Sequence, residues 1–220
     1  MPDRRAFLGT LAAASLGAAV SPVTASASAS SSGVQQQPEK WDLSWLERFK
    51  GKHRQVFDVG PLNGDFSPFL PIQNWYNAHR DVLGLASPQI DAIAGIHGSS
   101  FPANAVDAMW AKYPIGELWK IKDPKTGAWA KRNVFADPAP DSPGYDWSVP
   151  VLQQRGLTLW QCNNALHGAA GNIARAVSTQ SADVYKELRA AGLRAGVILV
   201  PAHVMLIGLA QDHGFRYEVL

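Results

Sequence analysis

Gln89-Ile90-Asp91-Ala92-Ile93-Ala94-Gly95-Ile96-His97-Gly98-Ser99-Ser100 is the stretch that decides the fold. Gln89 to Ile96 is almost continuously apolar, and a Gly/Ser turn follows it. A strand with one wet face would alternate polar and apolar residues. A continuous run reads instead as a strand buried on both faces, as in a parallel sheet covered by helices. Asn104 then reads as the cap of a helix whose inner face is Val106, Met109, Trp110 and Tyr113, stopped by Pro114 and Gly116.

Working outward, the same alternation repeats. Upstream, Gln55–Val59 is a short strand ended by Gly60-Pro61, and a loop through Asn63-Gly64-Asp65 follows. Ile72, Trp75, Tyr76, His79 and Leu83 then recur at helical spacing and stop near Gly84. Trp41, Trp45, Leu46 and Phe49, with Asp42 as cap, predict a short amphipathic helix within 41–53. Downstream, Val149–Arg155 is a helix, Leu157–Gln161 a strand, and Ala165–Val177 a helix of small residues. Ala182–Ala191 is a helix with Gly192 as its C-cap, and Ala195–Val200 is a strand ended by Pro201. His203–Asp212 is a helix stopped by Gly214, and Phe215–Leu220 is a last strand. The expected class is therefore α/β: an open, mostly parallel five-stranded sheet with helices on both faces, over residues 54–220. Residues 117–148 interrupt the alternation with a hairpin-like pattern around Asp123-Pro124-Lys125-Thr126-Gly127 and a Pro-rich run. An insertion of that length suggests a lid or an oligomer contact.

The N-terminus carries an address. Arg4-Arg5 precede a mildly apolar stretch, Ala6–Val20, too short to span a bilayer. Ala25-Ser26-Ala27 and Ala27-Ser28-Ala29 both fit a small-residue cleavage site. Residues 1–29 thus resemble a twin-arginine secretion signal, followed by a Ser/Gln-rich linker at 30–40. The expected location is periplasmic or extracytoplasmic, with a membrane encountered only during export. Such signals carry passengers that are already folded, often with a cofactor loaded. The signal removes Asp3, Arg4 and Arg5 from a formal charge of +2, so the mature chain is nearly neutral. Its basic residues make no stripe, and no nucleic-acid partner is expected. About 180 residues remain, one domain of ordinary size. The single cysteine, Cys162, excludes an intramolecular disulfide and any Cys-x-x-Cys site.

The segment Leu152-x-x-Arg155-Gly156-Leu157-Thr158-Leu159-Trp160-Gln161-Cys162-Asn163-Asn164 is similar to the helix–Gly–strand–Cys segment of DsrE/DsrF-like proteins. Leu193–Leu220 resembles their ending: a Val-rich strand closing on Val200-Pro201, a helix, then Gln211-x-x-Gly214-Phe215-x-Tyr217. The resemblance implies a small Rossmann-like fold that commonly assembles into homo-oligomers. It also implies, for some members, sulfur carried as a persulfide on a cysteine at the position of Cys162. The export signal, the 117–148 insertion and the segment from Trp41 depart from those sulfur carriers.

Ligands on open parallel sheets bind beyond the C-terminal strand ends. Four such ends matter here: Gly60 to Asp65, His97 to Ser100, Cys162 to Asn164, and Pro201 to His203. Cys162 is the candidate catalytic residue, because the start of the next helix favours an anionic thiolate. The competing reading is a buried, inert thiol. His97, His203 and Asn163 are candidate cofactor-binding residues, with general-base chemistry also open to His97 and simple helix capping to Asn163. If strands two, three and four are neighbours, His97, His203 and Cys162 form a candidate metal set. Asp58 and Asp65 either position a ligand or favour turns. His79 reads as a core histidine, His53 and His213 as surface residues, and His167 as facing either the site or solvent. Dinucleotide, phosphate-loop, nucleophile-elbow and zincin motifs are absent, and so is the motif for covalent haem attachment. Three functions stay open: sulfur or redox handling at Cys162 with a small-molecule or sulfur donor, non-covalent metal or haem binding, and a non-catalytic oligomeric interaction protein.

Overall fold

A computed structural model describes residues 40–62, 67–136 and 144–220. Asp65, the proposed signal, most of the linker and part of the Pro-rich run lie outside the described residues. Lys40–Leu220 forms one compact unit. In chain order its elements are β1 (His53–Val59), α1 (Leu70–Leu83), β2 (Ile90–Ile96), α2 (Asp107–Lys112), α3 (Ile115–Leu118) and α4 (Val149–Gln154). Then come β3 (Leu157–Cys162), α5 (Asn163–Ala176), α6 (Ser181–Glu187), β4 (Val197–Val200), α7 (His203–Asp212) and β5 (Arg216–Val219).

The five strands form one sheet in the order β4-β3-β2-β1-β5, and every pairing is parallel. The chain steps one way from β1 to β4, so right-handed crossovers send their helices to a single face. It then returns to the far side of β1, and α7 crosses on the opposite face. Two cores result. The larger packs Phe57, Val59, Ala92, Ala94 and Leu159 against α1 to α6. The smaller packs Val56, Ile93, Trp160 and Val200 against Leu206 and Ala210 of α7 and against Leu46 and Phe49. All seven residues of β2 are buried, as the continuous apolar run requires. Helix α1 starts with Pro71 in its first turn and ends at Gly84, whose left-handed φ of 65° lets its N–H reach Arg80 O. Among the described residues no helix is long and apolar enough to cross a membrane.

Several local expectations are corrected. The helix expected within 41–53 is one 3-10 turn, Ser44–Arg48. Gly51 N–H donates to Asp91 Oδ2 and Lys52 N–H to Gln89 O, which draws the chain into strand register before a helix can extend. Asn104 caps nothing; Val106 precedes α2. Buried Asn104 instead donates Nδ2 hydrogens to Trp160 O and Gln161 Oε1 at the end of β3. Gly192 closes a π turn, Leu188–Gly192, where its carbonyl accepts the Val106 N–H. Leu83, placed on the inner face of α1, is 53% exposed. The expected hairpin within 117–148 is a single antiparallel bridge, Lys122 to Trp129. The described part of this stretch before residue 137 contributes to the core, with Ile121, Ala130, Val134 and Phe135 buried. Fully buried Asn133 anchors it, donating to the carbonyls of Pro102, Ala103 and Ala105 and accepting from Phe135 N–H.

Candidate functional site

Side chains alternate along each strand, so Val56 and Asp58 of β1 point to the α7 face while Phe57 and Val59 enter the larger core. The register aligns Asp58 with Gly95 of β2, and Gly95 with Trp160 of β3. Gly95 is therefore a gap in a row of side chains. A Cβ there would stand 2.7 Å from His203 Cε1 and 2.7 Å from Trp160 Cζ2. His203, the first residue of α7, fills the gap, and His97 stacks on it with ring centroids 4.1 Å apart.

Asp58 joins the two histidines. Its Oδ1 lies 2.9 Å from His97 Nε2 and 3.0 Å from His203 Nε2, and its Oδ2 accepts the Tyr217 hydroxyl of β5 at 2.8 Å. The side chains grade from protected to open: His203 is 7% exposed, Asp58 18% and His97 37%. Burial alone would raise the Asp58 pKa. The Tyr217 hydrogen bond and the two histidines outweigh it and hold the carboxyl below its ordinary value. Burial, then the neighbouring His97, pushes the His203 pKa down against the pull of Asp58. The bond to Asp58 raises the Tyr217 hydroxyl.

Trp160 fixes the state of His203. Its indole N–H, which can only donate, points at His203 Nδ1 at 3.1 Å. Nδ1 must then be the bare nitrogen, so the neutral ring carries its proton on Nε2 and donates it to Asp58. Trp160 is itself fully buried, edge-on to Trp45 and His203.

Asp58, His97 and His203 each offer a ligand atom, all within 4.8 Å of one another, which is the geometry of a possible cation site. Metal-bound histidines ordinarily donate their second ring nitrogen outward. His203 faces a donor there, so a cation on its Nε2 would need the proton gone and the indole turned away. As arranged, the three residues fit an acid–base network better than a metal centre.

Cys162 stands apart from that trio. It is free and buried, on the same face as Trp160 and two residues on. Its Sγ accepts the backbone N–H of His203 at 3.3 Å and of Ala165 at 3.5 Å. The thiol thus sits where the N-termini of α5 and α7 meet. Strand order does make β2, β3 and β4 consecutive neighbours, and it brings His97, His203 and Cys162 to one edge. The third member of the possible cation set, however, is Asp58 and not Cys162. Asn163 is turned aside, with its Oδ1 accepting the Tyr185 hydroxyl at 2.7 Å. Exposed His167 stacks on Tyr185. His79 is half-buried and bonded to Trp75 O.

No family model matches the chain, and no curated protein matches it. A solved structure of a protein of unknown function, MTH1491 from Methanobacterium thermoautotrophicum, is similar over 76% of this chain and 99% of its own, at 17% identity and a TM-score of 0.38.

Proposed function

We propose that this protein handles sulfur or redox chemistry through Cys162, acting as a thiolate beside an Asp58–His97–His203 proton network. One observation carries the reading: Sγ accepts two backbone N–H groups from the first turns of two helices. Such donors stand ready to stabilise the negative charge that sulfur carries when it attacks or leaves. The resemblance to DsrE/DsrF-like proteins favours persulfide formation over other thiol chemistry, and the twin-arginine signal favours an exported setting. In the step envisaged, the thiolate attacks the outer sulfur of a persulfide donor. The Sγ–S bond forms, the donor S–S bond breaks, and the departing thiolate takes the proton that Cys162 released. No external oxidant is needed.

Iodoacetamide should label the native mature protein at Cys162, and a small persulfide donor should add the mass of one sulfur atom. Cys162→Ser should abolish both. A native protein that resists labelling, together with a Cys162→Ser variant that still takes up sulfur, would overturn the reading. The convergence of Asp58, His97 and His203 supports a second reading, a bound cation. Stoichiometric metal in natively exported protein, lost in Asp58→Asn, would establish it instead.

A further inference from the structure

We propose that the cleft beyond the ends of β1 and β2 binds a small organic anion, with Lys120 and Arg175 holding its acidic group. A cavity of about 800 Å³ opens between Pro61 and Leu62 after β1, Gly98 and Ser99 after β2, the end of α3, and the last turns of α5. That volume falls in the range of small-molecule sites, roughly 300–1,000 Å³. Its place at the C-terminal strand ends is where open parallel sheets take ligands.

The chemistry of the wall selects the ligand. Lys120 and Arg175 are the charged lining residues, and both are cationic. Among the described residues no carboxylate lines the cleft. Lys120 is exposed and has no acidic partner among the described residues. Its φ of 56° is the left-handed turn that ends α3, closed by the Ile121 N–H donating to Gly116 O. Arg175 is steadied by a hydrogen bond to Asn172 Oδ1. Two cations facing one cleft, with no carboxylate among its described lining residues, repel each other, and a bound anion relieves that repulsion. Leu62, Leu118 and Trp119 supply an apolar wall for the body of the ligand, and Trp119 is itself packed on Phe101. Gly98 and Ser99 directly follow His97 in the chain, while the His97 ring itself stacks on His203 on the α7 side of the sheet.

The test is a set of amide NMR titrations of the mature chain with benzenesulfonate, benzoate and phenyl phosphate, against benzylammonium and benzyl alcohol. The three anions share the oxyanion chemistry, and their relative affinities identify which acid group the cleft prefers. At least one anion should shift the amides of Gly98, Ser99, Lys120 and Trp119, while benzylammonium should not. Lys120→Gln and Arg175→Gln should each weaken that anion about tenfold, the scale of a lost charged hydrogen bond, and Arg175→Lys should recover part of the loss. Equal binding of cation and anion, unchanged affinity in both Gln variants, amide shifts elsewhere, or no anion binding at millimolar concentration would overturn the proposal. Cys162→Ser should bind the anion as the parent does, so failure of the thiol chemistry and failure of the anion site are seen separately.

Discussion

Asp58 shows how one carboxylate is kept charged in a partly buried place. Burial favours the neutral acid, yet three donors meet its two oxygens, and the balance falls to the anion. Tyr217 is the largest of the opposing influences. Tyr217→Phe should therefore raise the Asp58 pKa toward the ordinary carboxylate range, read from its side-chain carboxyl carbon in an NMR titration. The cost in stability should be only about 1 kcal/mol, because the lost bond is a surface one; an unmoved Asp58 titration would remove Tyr217 from the network. This residue also marks how far sequence reading reaches. His97, His203 and Cys162 are visible as polar residues placed where apolar strands end. Asp58 is only half visible, because aspartate near a Gly-Pro reads equally as a turn former. It lies inside β1, and the signal for its role is that an acid at an inward position of a buried strand needs partners. Trp160 and Tyr217 escape, because nothing local tells an aromatic that packs from one that also donates a hydrogen bond.

At the scale of elements, strands and helices with strong periodicity are readable, and the exceptions share a cause. The 41–53 segment, Asn104, Gly192 and the described part of the 117–148 stretch are all decided by contacts with distant chain, which no local window contains. Asn133 is the plainest case, since the carbonyls it gathers lie 28 to 31 residues away. Gly95 is the reverse: it weakens β2 locally, yet it lets His203 reach Asp58 from across two strands. Gly95→Ala should therefore do two things at once. Its new methyl would overlap His203 and Trp160, costing about 1–3 kcal/mol in urea denaturation. It should also break the contact of His203 with Asp58, seen as altered imidazole resonances. If the variant loses stability and keeps both resonances unchanged, Gly95 serves packing alone.

For the molecule as a whole, the return of the chain from β4 to β5 is what creates the site. It puts α7 on the smaller face, sets His203 at the strand edge, and lays Tyr217 beside β1. The network is thereby tied to three strands and a helix, and its protonation should be felt in global stability. Asp58 and His203 both have depressed values in the fold. For such groups the unfolded chain binds protons more readily, so their stabilisation is fully present above the unfolded pKa and is lost as pH falls toward the folded one. The unfolded values are about 6.5 for histidine and about 3.9 for aspartate. Stability should therefore decline as pH drops below about 6.5 through the His203 window, and again below about 3.9 through that of Asp58. One proton gives a slope of at most about 1.4 kcal/mol per pH unit. The informative quantity is a difference between variant and parent. Urea midpoints at pH 7.5 and pH 5 should fall less in His203→Asn than in the parent. If the variant keeps the whole decline, or if the parent is more stable at the lower pH, His203 is not the buried neutral member of this network.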